Sequence, residues 1–366
     1  WGALSAEGAG PDLLPRAVCG ANQDRQLTVQ FAVDDLWIGQ RLGPTLLEQV
    51  DGELRPVGFG LAAVQRARVP KLPGALMPGV VDRHVHLGLV DAAALTNSAV
   101  LEVHDLGWVP RIARGWKIDP PTGGLVKIAG PFLTAVGGYP SDRAWAPPGS
   151  VCELAGPADG VRAVDEAAAH GHDLIKLVLH SGGPLLDDAT LVAVIRAAHR
   201  RHLPVGVHAE GEGQARRAFE AGADILVHVP WTELVPDELL RGMAGSTRWT
   251  STFAIHADGE RERALDNARR FIRLGGRLDY GTDMGNDMYR GVMPVGPRPE
   301  EITALGQAGL TGGALLESLT GSPHRRLLAA AAVYAPLPLP YSAAEVAVWL
   351  KQAHRLVHVL KEGAIA

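Results

Sequence analysis

Two histidines, His84 and His86, stand two residues apart behind the apolar pair Val80-Val81 in MPGVVDRHVHLGLVD, residues 77–91. In an extended strand, residues i and i+2 share a face. Both imidazoles, and the Asp82 carboxylate two residues before His84, would therefore project together. An apolar strand has little reason to gather such groups unless a cation sits between them. A lone His-x-His is also what a polar strand end at a loop looks like, so the rest of the chain must supply partners. It offers Lys176 inside the apolar run LIKLV, His208 in VGVHAE, His228 in ILVHVP and Asp283 in YGTDMG. Taken singly, these read as a snorkelling lysine, two satisfied core histidines and a turn or cap aspartate. Taken together they are harder to explain as structure, because unpaired ionisable groups are rarely buried. A buried amine also loses its proton readily. A neutral amine can take up carbon dioxide as a carbamate, which is a bidentate anionic ligand.

The elements that would position these groups alternate. Short β-rich runs occur at 99–107, 125–138, 173–180, 204–210, 223–230, 247–256 and 277–285, and with the first strand they make eight. Helical stretches lie between them. Residues 187–202 place Leu191, Val194, Ile195 and Ala198 on one face, and 260–275 do the same with Leu265, Ala268, Phe271 and Ile272. Eight such alternations predict a parallel (β/α)8 TIM barrel, whose strands' C-terminal ends face one mouth where active sites are built. The third run contains Pro131 and several glycines and reads as half strand, half loop. Residues 1–26 look irregular. From Leu27 to Gly79 short strands are cut by Asp-Gly, Gly-Pro and Pro-Gly turns, including one read over VQRARVPKLPGALMPG. After the barrel, 311–326 read as a helix stopped by Gly-Ser-Pro. Residues 344–350 read as a strand, and 355–366 as a strand, a turn and a last short strand.

Composition is that of an ordinary folded chain: 366 residues, 46% hydrophobic, 20% charged, net charge −5. No basic cluster is dense enough for a nucleic-acid groove, and no apolar run approaches the ~20 residues of a membrane span. Two distant cysteines, Cys19 and Cys152, form no disulfide framework and fit a reducing compartment. The expectation is a cytoplasmic protein; the chain begins at Trp1, which leaves room for a removed signal. Its partner is expected to be a small-molecule substrate, with association into a homo-oligomer open.

The six residues, in their order, resemble the amidohydrolase superfamily of metal-dependent hydrolases over residues ~27–325. That pattern has His-x-His at strand one, a carboxylated Lys at strand four, His at strands five and six, and Asp at strand eight. His84, His86, Lys176, His208, His228 and Asp283 match it. The flanking PGVVDRHVHL, Gly137-Gly138, HSGG and HAEG look like the branch around imidazolonepropionase-related enzymes and bacterial dipeptide or N-acyl-amino-acid hydrolases. The resemblance implies a small β-sandwich-like domain from both chain ends, with 1–76 and 326–366 flanking a barrel at 77–325. The Pro-rich YAPLPLPYSA departs from the Gly-rich approach usual before the returning strand, here matched by Ala344-Glu345-Val346.

The resemblance further implies two divalent metal ions, zinc by ligand type. His84, His86 and Asp283 would hold one and His208 and His228 the other, with carbamylated Lys176 bridging. A metal-bridging hydroxide would attack an amide carbonyl, and Asp283 would carry the proton to the leaving nitrogen. The amide is linear or cyclic: a dipeptide, an N-acyl amino acid, a lactam or an imide. A lactonase or esterase would use the same site. Substrate contacts are expected from His104, Tyr139, His180, Thr252, His256 and Asn286, with Arg290 pairing a substrate carboxylate. A mononuclear deaminase of a heterocycle, assisted by His228 and Glu210, is the alternative. A catalytically silent barrel is the third class, and it would be expected to lack at least one ligand.

Overall fold

The computed structural model describes residues 29–286, 295–321 and 327–361. A (β/α)8 barrel of parallel strands forms the larger part. In chain order its strands are Val80–Val85, Val100–Asp105, a third in two pieces (Leu125–Ile128 and Phe132–Ala135), Ile175–His180, Val205–Glu210, Ile225–Leu226, Arg248–Thr250 and Leu278–Asp279. The last strand closes on the first: the Arg83 N–H donates to the Tyr280 carbonyl at 3.2 Å and the His86 N–H to that of Met284 at 2.7 Å. The third strand breaks around Pro131, which has no N–H for a ladder. Its first piece pairs with Val100–Asp105 and its second with Ile175–His180. The second piece also gains a parallel neighbour, Val151–Leu154, that the sequence pattern did not suggest.

Register decides which side chains meet inside. Lys176 lies opposite Gly206, Val178 opposite His208 and His180 opposite Glu210. Leu177 and Leu179 face the other way and join Leu191, Val194, Ile195 and Ala198 of helix Asp188–Arg200 in the apolar core. That helix starts on Asp187, whose carboxylate accepts the Thr190 N–H at 2.6 Å. Helix Asp258–Arg273 buries Leu265, Ala268 and Phe271, the last stacked on Trp249 at 3.9 Å between ring centroids.

No α-helix follows the first strand. Leu87–Leu89 and Ala92–Asn97 form 3-10 turns instead. The flank of strands one to three carries charge: the Glu102 carboxylate accepts from His104 Nε2 at 2.8 Å and pairs with Lys127 Nζ at 2.7 Å.

The second sheet runs, in spatial order, Leu327–Leu328, Glu53–Phe59, Thr45–Val50, Val29–Leu36, Lys71–Pro78, Ala332–Ala335 and His354–Arg355. Both chain ends build it, as expected. Its hairpin turns on Asp51 and Gly52, which have φ of 52° and 78°, the left-handed pair a tight Asp-Gly turn requires. Three local expectations are corrected. Residues 344–350 are not a strand but lie in helix Ala343–Lys351. Ser342 caps it, taking the Glu345 N–H at 3.3 Å, while the Glu345 carboxylate takes the Ser342 N–H at 2.9 Å. This is the reciprocal Ser-x-x-Glu box, and the returning strand is Ala332–Ala335 instead. The strand–turn–strand expected over 355–366 is a two-residue strand followed by helix Leu356–Lys361, with 362–366 outside the described residues. Leu61–Arg66 is helical, so the strand read over VQRARVPKLPGALMPG begins only at Lys71. The irregular stretch 1–26, Cys19 and Arg290 also lie outside the described residues. Among the described residues no helix is long and apolar enough to cross a membrane.

Candidate metal centre

The C-terminal ends of strands one, six and eight bring His84, His228 and Asp283 together, with one ligand atom from each within 4.8 Å of the others. All three are buried. His84 Nδ1 lies 2.8 Å from the Val227 carbonyl oxygen. A carbonyl only accepts, so Nδ1 carries a proton. Burial holds the His84 pKa well below its ordinary value, so the ring is neutral and Nε2 bears a lone pair. That lone pair faces Asp283 Oδ1 at 3.2 Å. His86 Nε2 approaches the same oxygen at 3.2 Å, while His86 Nδ1 is buried with no hydrogen-bond partner. Two acceptors, His84 Nε2 and Asp283 Oδ1, repel unless a cation stands between them. The donor set is nitrogen and oxygen with a fixed outer hydrogen bond on the ring, the arrangement that suits a divalent metal.

A second group lies beside the first. The Glu210 carboxylate oxygen Oε2 sits 2.7 Å from His180 Nδ1 and 3.0 Å from His208 Nε2. These three also qualify as a cation-holding set. Burial alone would raise the Glu210 pKa, but the two imidazole hydrogen bonds outweigh it and bring the carboxyl below its usual range. The carboxylate accepts, so the nitrogens facing it carry protons. A cation here would displace them or take His208 through Nδ1. The groups adjoin: ring centroids are 4.5 Å apart for His84–His228 and 5.0 Å for His208–His228. This differs from the expected division, which set His228 with His208 and His84 with His86.

Lys176 belongs to neither group. Its amine is buried, and burial lowers its pKa from 10.5 to about 7. A large share is then unprotonated near neutrality. Gly206 lies opposite it, where a side chain would run into Val227.

Supporting residues come from remote parts of the chain. Asp82 shares the strand with His84 but faces the closure. Its carboxylate accepts Thr282 Oγ1–H at 2.6 Å, the Thr282 N–H at 3.0 Å and the His84 N–H at 3.2 Å, tying the last strand to the first. His228 Nδ1 pairs with Thr252 Oγ1 at 2.8 Å. Thr252 is fully buried with φ 48°, and Asp283 has φ 54°. Non-glycine residues in this region are strained, and such strain gathers at functional sites. Glu301 holds the turn after Thr252, accepting the Phe253 N–H at 3.0 Å and the Ala254 N–H at 2.7 Å. Asn286 Nδ2 donates to Asp283 Oδ2 at 2.8 Å.

The expected substrate contacts divide. Tyr139 stacks on His180 at 4.7 Å and His256 on Trp231 at 4.7 Å, both beside the imidazole cluster. Thr252 and Asn286 touch His228 and Asp283 and so hold the cluster's own members. His104 is a correction: it pairs with Glu102 on the charged flank, and the neighbouring Asp105 faces the site, its carboxylate fixing the Leu87 N–H at 2.8 Å. The ladder between strands one and two shifts register twice. Glu301, Asp105, Trp145 and Trp231 were not anticipated. No local signal marks the first two, and Trp231 three residues after His228 was readable as a possible neighbour on the same loop.

No protein-family model matches the chain, and no curated protein does. Solved structures do. A Xaa-Pro dipeptidase with methionine bound in its active site superposes with a TM-score of 0.67 at 17% identity, over 89% of this chain and 97% of that one. The A. niger ochratoxinase gives 0.63 at 18%, over 81% and 83%. Molinate hydrolase gives 0.62 at 16%, over 81% and 84%. At these identities the likeness establishes a shared fold.

Proposed function

We propose that the chain is an amidohydrolase-superfamily enzyme that hydrolyses an amide C–N bond at a metal pair. The observation that carries this reading is the lone-pair contact of His84 Nε2 with Asp283 Oδ1 at 3.2 Å, with His84 Nδ1 already committed to Val227. The fold shared with the dipeptidase and the two other hydrolases supports it. Bound divalent cations, zinc by ligand type, would polarise the carbonyl and acidify a water. The residues proposed to hold them are His84, His86, His208, His228 and Asp283, with Lys176 as a bridging carbamate. The lowered Lys176 pKa favours the neutral amine that carbamate formation needs.

The chain's own part is proton transfer and orientation. Asp283 Oδ2, the oxygen directed by Asn286, accepts a proton from the attacking water and returns it to the leaving nitrogen. Water and amide become acid and amine, and the carboxylate is regenerated. Val227 and Thr252 fix the rings of His84 and His228. Esters and lactones fit the same chemistry. The finer assignment, towards dipeptides, N-acyl amino acids, lactams or imides, rests on the flanking motifs HSGG and HAEG.

A mononuclear deaminase has one observation in its favour: His84, His228 and Asp283 form a three-ligand set without Lys176, and Glu210 stands beside it on His208. The Lys176→Ala variant separates the two. The binuclear hydrolase predicts loss of metal and of amide hydrolysis, with partial return on adding a short carboxylate such as formate. Unchanged metal content and unchanged activity would reject the bridge and favour the deaminase.

A further inference from the structure

The chain is poor in aromatic residues, 5% by count, yet they gather at this mouth. Phe132 lies 5.5 Å and Trp145 6.3 Å from the His86 ring, Tyr139 5.7 Å from His208, and Trp231 5.2 Å from His228. Two of the four are already engaged face to face. Tyr139 stacks on His180 and has the Arg143 guanidinium carbon 5.3 Å from its centroid. Trp231 stacks on His256. Trp145 differs. It meets Phe132 and Tyr139 edge to face, at 71° and 63°, and His86 at a tilt of 39°. No described residue stacks flat on it.

Trp145 also has no place in the apolar core, to which Trp231 belongs. It is half-buried on residues 136–150, the segment between Phe132–Ala135 and Val151–Leu154. A large indole is held beside the candidate metal centre by edge and tilted ring contacts, partly exposed and with no described ring stacked on it. An aromatic face of that kind prefers a flat, offset ring to an aliphatic group of equal size.

We propose that Trp145 forms an aromatic subsite, so that the amide substrate carries a planar ring beside the scissile bond. The assignment of an amide rests on the hydrolase reading above; the subsite itself does not. Tyr139 and Trp231 are fixed walls, and Trp145 takes the ring.

The test is calorimetric binding of two carboxylates to the zinc-loaded full chain. Phenylacetate and cyclohexylacetate have the same carbon count and charge, and only the first is flat. Both resemble products, so binding does not require turnover. Phenylacetate should bind about threefold to tenfold tighter. Trp145→Leu should remove that preference and Trp145→Phe should retain most of it, with circular dichroism confirming that both variants fold. Equal affinities in the unsubstituted protein, or a preference that survives Trp145→Leu, would overturn the subsite. Absence of hydrolysis across an N-acyl amino acid series, with the phenyl preference intact, would bring down the hydrolase reading alone.

Discussion

Two buried polar clusters sit at different places on the barrel, and they are built on opposite rules. One is Arg355, from the chain's C-terminal part, which is buried without a carboxylate. Its guanidinium donates to the carbonyls of Leu95 at 2.7 Å, Thr122 at 2.9 Å and Ser98 at 3.2 Å, and to those of Gly123 and Val100 as well. Donors meet acceptors, and nothing more is needed. It fastens the small sheet to the loops before strands two and three. At the other cluster, His84 Nε2 and Asp283 Oδ1 set acceptor against acceptor, and His86 Nδ1 has no partner. Burial is equally deep in both. The difference is satisfaction: a saturated polar cluster holds the fold together, whereas a frustrated one is arranged for something that binds.

That contrast breaks in measurable ways. The largest effect is expected at Asp283. Asp283→Ala should lower amide hydrolysis by about 10^3-fold, while the metal-free protein melts no lower than the unsubstituted one, because the repelling acceptor is gone. A clear loss of metal-free stability would mean that the cluster is structural. Arg355→Ala should do the reverse. Several buried carbonyls lose their donor, and unfolding free energy should fall by about 3 kcal/mol in urea titration, with activity per folded molecule retained. A smaller effect is expected at Glu301→Gln. One of two backbone N–H groups loses its charged acceptor, Thr252 is less firmly held, and metal affinity should weaken about tenfold. Unaltered affinity would cut the link from Glu301 through Thr252 to His228.

The groups that could do chemistry were legible because each lies in or just after a short β-rich run, and a parallel barrel sends the ends of such runs to one mouth. His84, His86, Lys176, His208, His228 and Asp283 needed no knowledge of distant contacts. Their supports did. Asp82 meets Thr282 two hundred residues away, and Glu301 meets the turn after strand seven across nearly fifty. Neither pairing leaves a local trace. His104 and Asp105 show another limit: both lie at the end of strand two, and which of them turns to the site is settled by partners elsewhere in the chain. The helix at Ala343–Lys351 is a different case, since Ser342-Ala-Ala-Glu345 is a readable capping signal. There the valines and tryptophan suggested a strand, and the cap outweighed them. Trp145 was hidden because it lies on a connection whose course no periodicity describes.

Metal content per chain, measured on protein purified without chelator and then incubated with zinc and bicarbonate, tests the central claim most directly. The account predicts about two divalent ions per chain, both lost together in Lys176→Ala. One ion, indifferent to Lys176, would contradict the binuclear centre. None would leave the lone-pair contact between His84 and Asp283 without its cation and would contradict the hydrolase reading altogether.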